Sequence, residues 1–351
     1  MKEYLELRIK RIIRETKEAI TLILEPVDGR EVKYKAGQFL TLLISKGGKE
    51  IRRSYSLSST PGIDEALAIT IKRVVNGEVS RYLMDHLKEE DILHCLPPAG
   101  RFTLETQTDI RRDIFLIGAG SGITPLFSIL KDLLQHEPQS HCILIKSDTN
   151  ENTVLFSDQI SKLASQYAGR FTYYPLYSNP APQPGSYPSR LNIGLLQNLI
   201  SQYLEYDKAL AQFYVCGPST FMRMVRMTLT FMEFRQEQIH QEIFVTEELP
   251  ETALPVFEDT SPKTIELLYK QKKYVLESPY NQSILKTALA NRIQLPYSCA
   301  GGVCSTCAAR CTHGKVHMTI NKVLTNKEVA AGWVLTCVGY PITNEVTIEF
   351  D

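Results

Sequence analysis

No apolar run in this 351-residue sequence approaches the ~20 residues that a helix needs to cross a bilayer. The start, Met1-Lys-Glu-Tyr-Leu-Glu-Leu-Arg8, is charged and alternating and lacks the apolar core of a secretory signal. Charge of either sign is not in excess: 39 Lys+Arg balance 39 Asp+Glu, which removes the electrostatic footprint expected of nucleic-acid or anionic-membrane binding. The eight cysteines are too few and too clustered for a disulfide scaffold. Two motifs are also missing, the dinucleotide fingerprint G-x-G-x-x-G and a paired set of Glu-x-x-His motifs for a carboxylate di-iron centre. What is left is a neutral chain of ordinary globular composition, 43% hydrophobic and 22% charged, long enough for two or three domains. Its expected location is the cytoplasm.

What is present is concentrated near the C-terminus. Leu295-Pro-Tyr-Ser-Cys-Ala-Gly-Gly-Val-Cys-Ser-Thr-Cys307 puts Cys299, Cys304 and Cys307 at C-x4-C-x2-C spacing, and Trp333-Val-Leu-Thr-Cys337 supplies a distant fourth cysteine. That is the plant-type 2Fe-2S ligand pattern, three thiolates on a tight loop and one brought in by the fold. A structural zinc site fits less well, because such sites present two short C-x2-C pairs and only Cys304 and Cys307 form one here. Gly301, Gly302 and their small neighbours let backbone amides turn toward cluster sulfurs. Cys95, Cys142 and Cys311 read as small buried hydrophobes.

From Leu5 to Phe102 short alternating runs (Leu5-Leu7-Ile9, Ile20-Leu22-Leu24, Leu67-Ile69-Ile71) are separated by turn signals such as Asp28-Gly29 and Pro61-Gly62, the pattern of an antiparallel sandwich or small barrel. Arg52-Arg53-Ser54-Tyr55-Ser56 lies inside it, in fixed order with Ala36-Gly37-Gln38-Phe39, Gly77-Glu78-Val79-Ser80 and Pro97-Pro98-Ala99-Gly100-Arg101-Phe102. With these four elements the segment resembles the flavin-binding barrel of the ferredoxin-NADP reductase family. The chemistry suits the residues: Arg53 offers a bidentate fork to a pyrophosphate, Tyr55 a flat face to the isoalloxazine and Ser56 a hydroxyl to its edge. The resemblance adds Ser54 and a short helix expected from Ser80 to Leu87, whose start at Gly77, Val79 and Ser80 suits the pyrophosphate. It implies FAD, with FMN the alternative used by near relatives.

After Asp113 apolar strands alternate with helical stretches: Ile114 to Ile117, Pro125 to His136, His141 to Ile145, Phe171 to Tyr174, Gln212 to Cys216 and Thr220 to Met232, which predicts a parallel sheet with covered faces. The turn Gly118-Ala-Gly120-Ser-Gly-Ile-Thr124-Pro125 resembles the nucleotide turn of the same family, bare backbone at a helix N-terminus. Tyr214-Val-Cys216-Gly217-Pro218 stands at the carboxyl end of a strand, where open α/β sheets bind ligands. The resemblance places Cys216 beside the nicotinamide and Phe244 over the flavin. The family's NADPH-reading arginine is replaced by Thr149 in Ser147-Asp148-Thr149-Asn150, and an acid there would repel a 2′-phosphate, while Arg190 matches a second basic position. NADH or NADPH is therefore expected, with a lean to NADH.

Glu247 to Pro262, with three prolines, five acids and no base, reads as a solvated tether. Beyond it, a hairpin (Lys263 to Leu268, Lys273 to Glu277), a helix (Ser283 to Asn291), the cluster loop and a last strand (Val346 to Phe350) resemble a plant-type ferredoxin, although from Lys263 to Asp351 ten Lys+Arg exceed six Asp+Glu, a net charge of +4. The expected layout is a flavin barrel over 1–107, an NAD(P)-binding α/β domain over 108–246, a linker over 247–262 and an α+β β-grasp 2Fe-2S domain over 263–351. That order resembles the reductase components of multicomponent oxygenases, such as the phenylacetyl-CoA epoxidase system. The resemblance implies that Tyr55, Ser56 and Cys216 flank hydride transfer and that single electrons leave through the cluster to a partner protein, an oxygenase component. The alternatives are a desaturase or haem monooxygenase as acceptor, or a redox sensor.

Overall fold

The structure, a computed structural model, describes residues 4–46, 48–182, 187–244 and 257–350. The chain divides into two compact units at Phe244/Val245. Much of the expected linker, residues 247–256, lies outside the described residues.

The first unit opens with β1 (Leu5–Thr16), β2 (Ala19–Pro26), β3 (Phe39–Lys46), β4 (Lys49–Ser56), β5 (Leu67–Lys72), α1 (Glu78–His86) and β6 (Ile92–Ala99). The six strands form one antiparallel sheet in the order β4-β3-β6-β1-β2-β5. An isolated bridge from Leu57 to Ile69 joins the end of β4 to β5, so the two sheet edges meet and the sheet closes as a barrel. Alternation puts Leu7, Ile9, Leu22, Leu24, Leu40, Leu42, Ile69 and Ile71 inside, each no more than 1% exposed. Pro97 and Pro98 sit inside β6, where they cannot donate to the ladder. The register slips there, Thr41 pairing with Leu96 and Phe39 with Ala99.

The rest of this unit is β7 (Asp113–Ala119), α2 (Ile123–His136), β8 (His141–Asp148), α3 (Ser157–Gln166), β9 (Phe171–Tyr177), α4 (Ile193–Tyr203), β10 (Gln212–Cys216), α5 (Ser219–Phe231) and β11 (Ile239–Glu242). Its five strands are parallel, in the order β11-β10-β7-β8-β9. One sheet face packs under α2, together with Ala36, Phe102 and Leu104 from the barrel, and the other under α4 and α5. The barrel and this sheet therefore share a core. Polar contacts reinforce the joint: Thr60 Oγ1 donates to the Ser128 carbonyl at 2.9 Å, Ser128 Oγ to the Ser59 carbonyl at 2.6 Å, and Lys131 Nζ to the Ser58 carbonyl at 3.0 Å.

The second unit contains β12 (Lys263–Tyr269), β13 (Lys272–Ser278), α6 (Ile284–Ala290), β14 (Ala308–His313), β15 (Val316–Met318), α7 (Asn326–Ala330), β16 (Trp333–Leu335), β17 (Gly339–Pro341) and β18 (Glu345–Glu349). The mixed sheet runs β13-β12-β18-β14-β16, with β12 and β18 parallel. Ser283 caps α6 by accepting from the Lys286 amide at 3.3 Å. The helix buries Ile284, Leu285 and Ala288 against Ile265, Leu267, Val346 and Ile348, the β-grasp arrangement. Phe257, at the end of the expected tether, packs edge-on to His317 and beside Tyr340, so those last residues attach to this unit. Among the described residues no helix is long and apolar enough to cross a membrane.

Candidate functional site

At the end of β4 the pleat sorts the flavin candidates onto two faces. Arg53 and Tyr55 oppose Leu42 and Leu40 across the ladder, while Ser54 and Ser56 oppose Thr41 and Phe39. Tyr55 and Ser56 therefore meet any ring from different directions, one with a flat face and the other with a hydroxyl. Glu50 pairs with Arg52 at 2.9 Å, not with Arg53. Half-buried Arg53 uses Nη1 on the Arg52 carbonyl at 2.8 Å. Burial pushes the Tyr55 phenol above its ordinary range, partly opposed by the Arg53 charge, so the ring stays neutral. Ser54 Oγ lies 3.0 Å from Thr41 Oγ1, and Ser56 is 5% exposed.

Helix α1 begins two residues before the expected Ser80, because Gly77 takes the N-cap position. A Cβ on Gly77 would stand 2.7 Å from Ser80 Oγ and from Val74 Cβ, so only glycine fits. Ser80 Oγ accepts from the Val74 amide at 3.0 Å and Val79 is buried. These residues build the turn, and the first amides of the helix are left without intrahelical acceptors. The Ala36 to Phe39 and Pro97 to Phe102 motifs pack directly together: Gln38 Nε2 donates to the Gly100 carbonyl at 3.2 Å, and a Cβ on Gly37 (φ +91°) would stand 2.0 Å from the Phe102 carbonyl.

The two nucleotide motifs, distant in sequence, touch. Strand β7 runs into a 3-10 turn, Gly120–Gly122, and then α2. A Cβ on Gly122 would lie 2.1 Å from the Cys216 carbonyl oxygen. One on Gly217 would lie 3.0 Å from Ala119 Cβ. Thr124 Oγ1 donates to the Ser121 carbonyl at 2.8 Å, and Pro218 precedes α5. This cradle of bare backbone at the carboxyl edge of adjacent parallel strands β7 and β10 fits a dinucleotide phosphate. Arg190 is exposed ahead of α4, and Phe244 packs partly buried against the cluster holding Cys216 and Leu126. Cys216 is 0% exposed, and burial with the neighbouring Glu242 pushes its thiol well up, so it stays protonated and is no nucleophile.

Three features were missed or misjudged from sequence. Asp148, expected to repel a 2′-phosphate, turns inward and pairs with buried Lys146 at 2.5 Å, both side chains at most 1% exposed. Lys72, at the end of β5, places Nζ 3.6 Å from where a Gly120 Cβ would stand, and nothing in its local sequence marked it. Glu242 lies beside Cys216 in the β10/β11 register. Partly exposed at the sheet edge yet surrounded by protein, its carboxyl is pushed by burial up to about 8. A folded pKa above the ordinary 4.5 stabilises the fold in full below pH 4.5 and loses that contribution as pH rises through 8. Urea unfolding at pH 6 to 9 should therefore show stability falling by up to about 1.4 kcal/mol per pH unit near pH 6, by about half that at pH 8, and levelling off above it. Glu242→Gln should flatten that limb; an unchanged pH profile would mean that another group titrates.

In the second unit Ala300 (φ +50°) and Gly302 (φ +73°) coil the loop between the first two cysteines. A Cβ on Gly302 would stand 2.7 Å from the Ile320 carbonyl. The Cys299 amide points at Cys304 Sγ and the Gly301 amide at Cys299 Sγ, both at 3.4 Å. Thr336 donates to the Cys307 carbonyl through N at 3.2 Å and Oγ1 at 3.0 Å, which brings Cys337 to the loop. Hydrogen bonds from the Cys304 and Cys337 thiols, then from the Gly301 and Val303 amides, push Cys299 down, and Cys337 also contacts Cys307. The loop and the Thr336 bonds thus bring all four thiols into one neighbourhood, Cys299 beside Cys304 and Cys337 beside Cys307. Among the described residues no three His, Cys, Asp or Glu side chains gather as a single ion would need. Paired soft donors with amides aimed at sulfur fit a two-iron cluster. Cys311, on β14, is half-buried and donates from Sγ to the His313 carbonyl at 3.2 Å.

Comparison with known proteins agrees with this geometry. Residues 6–104 match the oxidoreductase FAD-binding domain family, 116–227 the oxidoreductase NAD-binding domain family and 268–341 the 2Fe-2S iron-sulfur cluster binding domain family. The ferredoxin reductase component of 3-ketosteroid-9-alpha-monooxygenase from Mycobacterium tuberculosis is 32% identical, across 99% of this chain and 96% of that protein. One of the subunits of 1,2-phenylacetyl-CoA epoxidase from Escherichia coli is 31% identical, across 100% and 99%. The chain belongs to the ferredoxin-NADP reductase superfamily, in the branch with a C-terminal 2Fe-2S domain. Phthalate dioxygenase reductase shares the fold, with a TM-score of 0.59 and 21% identity over 99% of this chain and 98% of that one. The chain is an NAD(P)H-dependent oxidoreductase of this superfamily whose cofactors are FAD and a 2Fe-2S cluster.

Proposed function

We propose that this reductase passes electrons from a nicotinamide nucleotide to an oxygenase component, through residues that can be named. Bound FAD supplies the conversion of a two-electron hydride into single electrons, which neither nicotinamide nor a 2Fe-2S cluster performs alone. Arg53 holds the FAD pyrophosphate with the start of α1 at Gly77, Val79 and Ser80. Tyr55 offers its neutral ring to the isoalloxazine face, and Ser54 and Ser56 offer hydroxyls to its edge. Gly120, Thr124, Gly217 and Pro218 line the nicotinamide nucleotide, Cys216 supports it from below as an uncharged thiol, and Phe244 covers the flavin side. Cys299, Cys304, Cys307 and Cys337 ligate the cluster. The observation that carries this reading is the contact of Gly122 with Cys216, which joins both nucleotide motifs at the sheet edge in the same compact unit as the barrel.

The acceptor follows from the relatives, one named as the ferredoxin reductase component of a monooxygenase and the other as part of an epoxidase. Substituting this chain for its relative in a reconstituted phenylacetyl-CoA epoxidase should give NADH-dependent product, and anaerobic NADH should bleach the flavin and cluster absorbance of the reductase alone. Bleaching without product would restrict the proposal to electron transfer. A spectrum unchanged by NADH and NADPH would overturn it. We place the protein in the cytoplasm, a reducing compartment that keeps the four cluster cysteines available as thiolates; none of the eight cysteines is in a disulfide.

NADH is the proposed donor. Thr149, where NADPH users carry arginine, is exposed and uncharged, and the Asp148 charge is already compensated by Lys146. Of the two positions weighed from sequence, Thr149 and Arg190, the exposed Arg190 is the one with a charge to meet a 2′-phosphate. The expected kcat/KM is about tenfold higher for NADH, or 1.4 kcal/mol; a preference for NADPH in steady-state assays would reverse the assignment.

A further inference from the structure

Lysine is almost never fully buried unless paired, and Lys146 has no exposed side-chain surface. Its partner Asp148 is 1% exposed. Such a pair seldom adds stability, because the desolvation of two charges offsets their attraction. Here the balance is worse, since Asp148 Oδ1 is buried without a hydrogen-bond partner. An apolar pair of similar volume would suit this position better, so stability does not account for it.

Its place in the sheet does. Lys146 Nζ donates to Asp148 Oδ2 at 2.5 Å and also to the Gly120 carbonyl at 3.2 Å. Gly120 is the left-handed residue (φ +54°) that opens the turn between β7 and α2, and its carbonyl accepts from the Ile123 amide as well. Lys72, arriving from the barrel, flanks the same glycine. The N–H groups of a first helical turn have no intrahelical acceptor, so the orientation of the Gly120 peptide controls what the turn offers to an anion. Desolvation pulls the Lys146 ammonium down and Asp148 opposes that pull, as the Lys72 charge does not.

We propose that Lys146 is a positioning residue for the nicotinamide nucleotide: it pins the Gly120 carbonyl, leaving the amides of the turn free for the pyrophosphate, and Asp148 holds Lys146 there. This rests on the reading that the pyrophosphate binds at Gly118 to Pro125.

The test is calorimetric titration of the full-length holoprotein with ADP-ribose. The double variant Lys146→Met/Asp148→Leu should fold with unchanged or higher Tm, because apolar replacement of buried ion pairs is often neutral or stabilising. It should keep its FAD and cluster absorbance and bind ADP-ribose about tenfold more weakly, a loss of about 1.4 kcal/mol. KM for NADH should rise in step while kcat for flavin reduction holds. Asp148→Asn, whose amide oxygen can still accept from Lys146, should bind ADP-ribose as the wild type does. Wild-type affinity in the double variant would overturn the proposal, as would a tenfold loss in Asp148→Asn, which would make the carboxylate itself the contact. If the double variant does not fold, Lys146→Gln replaces it, and unchanged affinity there also overturns the proposal. Gly120→Asp separates the two levels: if it binds ADP-ribose normally, the placement of the pyrophosphate is wrong; if it loses binding while the Lys146 variants do not, only the role of Lys146 falls.

Discussion

Cys337→Ser should lose the visible absorbance of the cluster and the reduction of protein acceptors, by more than the roughly 10- to 100-fold that changes outside a ligand set cost. Serine nearly preserves the shape of this side chain, which is 7% exposed, but its hard hydroxyl is a poor substitute for a soft thiolate on iron. The loop should stay in place, because the bonds from Thr336 to the Cys307 carbonyl do not involve the thiol. Flavin reduction by NADH should survive at the wild-type rate, since the barrel and the nucleotide sheet form a compact unit that ends at Phe244. The result combines an absorbance spectrum, a cytochrome c assay and stopped-flow flavin reduction. Loss of flavin reduction together with the cluster would show that the units are not independent.

Arg53→Ala should release FAD. A guanidinium fork on a pyrophosphate is a charge-assisted, partly desolvated contact, and truncating one side of such a pair costs about 2–4 kcal/mol, or roughly 30- to 1,000-fold in affinity. Arg53 is suited to this role because Glu50 engages its neighbour Arg52, while the half-buried Arg53 shares a sheet face with Tyr55. The ratio of FAD to protein after gel filtration measures the effect. Full retention would mean that the pyrophosphate sits elsewhere. Arg52→Ala is the control and should keep its flavin, since the Arg52 guanidinium is engaged by Glu50 at 2.9 Å.

Much of this was readable because the signals are local. The barrel strands were found from alternation, since each has one buried face. The β12/β13 hairpin and α6 followed from turn and cap residues within a few positions of each other. Helix α1 starts two residues before the expected Ser80, because its cap is Gly77, which has no side chain to mark a helix start in the sequence. Strands β15 to β17 and helix α7 were not delineated, since each runs for only three to five residues, too few for a period to show.

By itself, then, the sequence determined the identity of the three redox sites. The cysteine spacing is a chemical requirement met by residues close together in the chain, while the glycine turn and the Arg-x-Tyr-Ser strand pointed to nucleotide and flavin through their resemblance to the reductase family. Only the tertiary structure decided how distant residues meet: Gly122 on Cys216, Ser58 to Thr60 on α2, Glu242 beside Cys216, and Lys146 with Asp148 beneath Gly120. The physical reason lies in the parallel sheet. Its strands are covered on both faces, so their sequences carry no alternation to say which way a side chain points. The same Asp148 reads as an acid repelling a 2′-phosphate in the chain and as the counter-ion of a buried lysine in the fold.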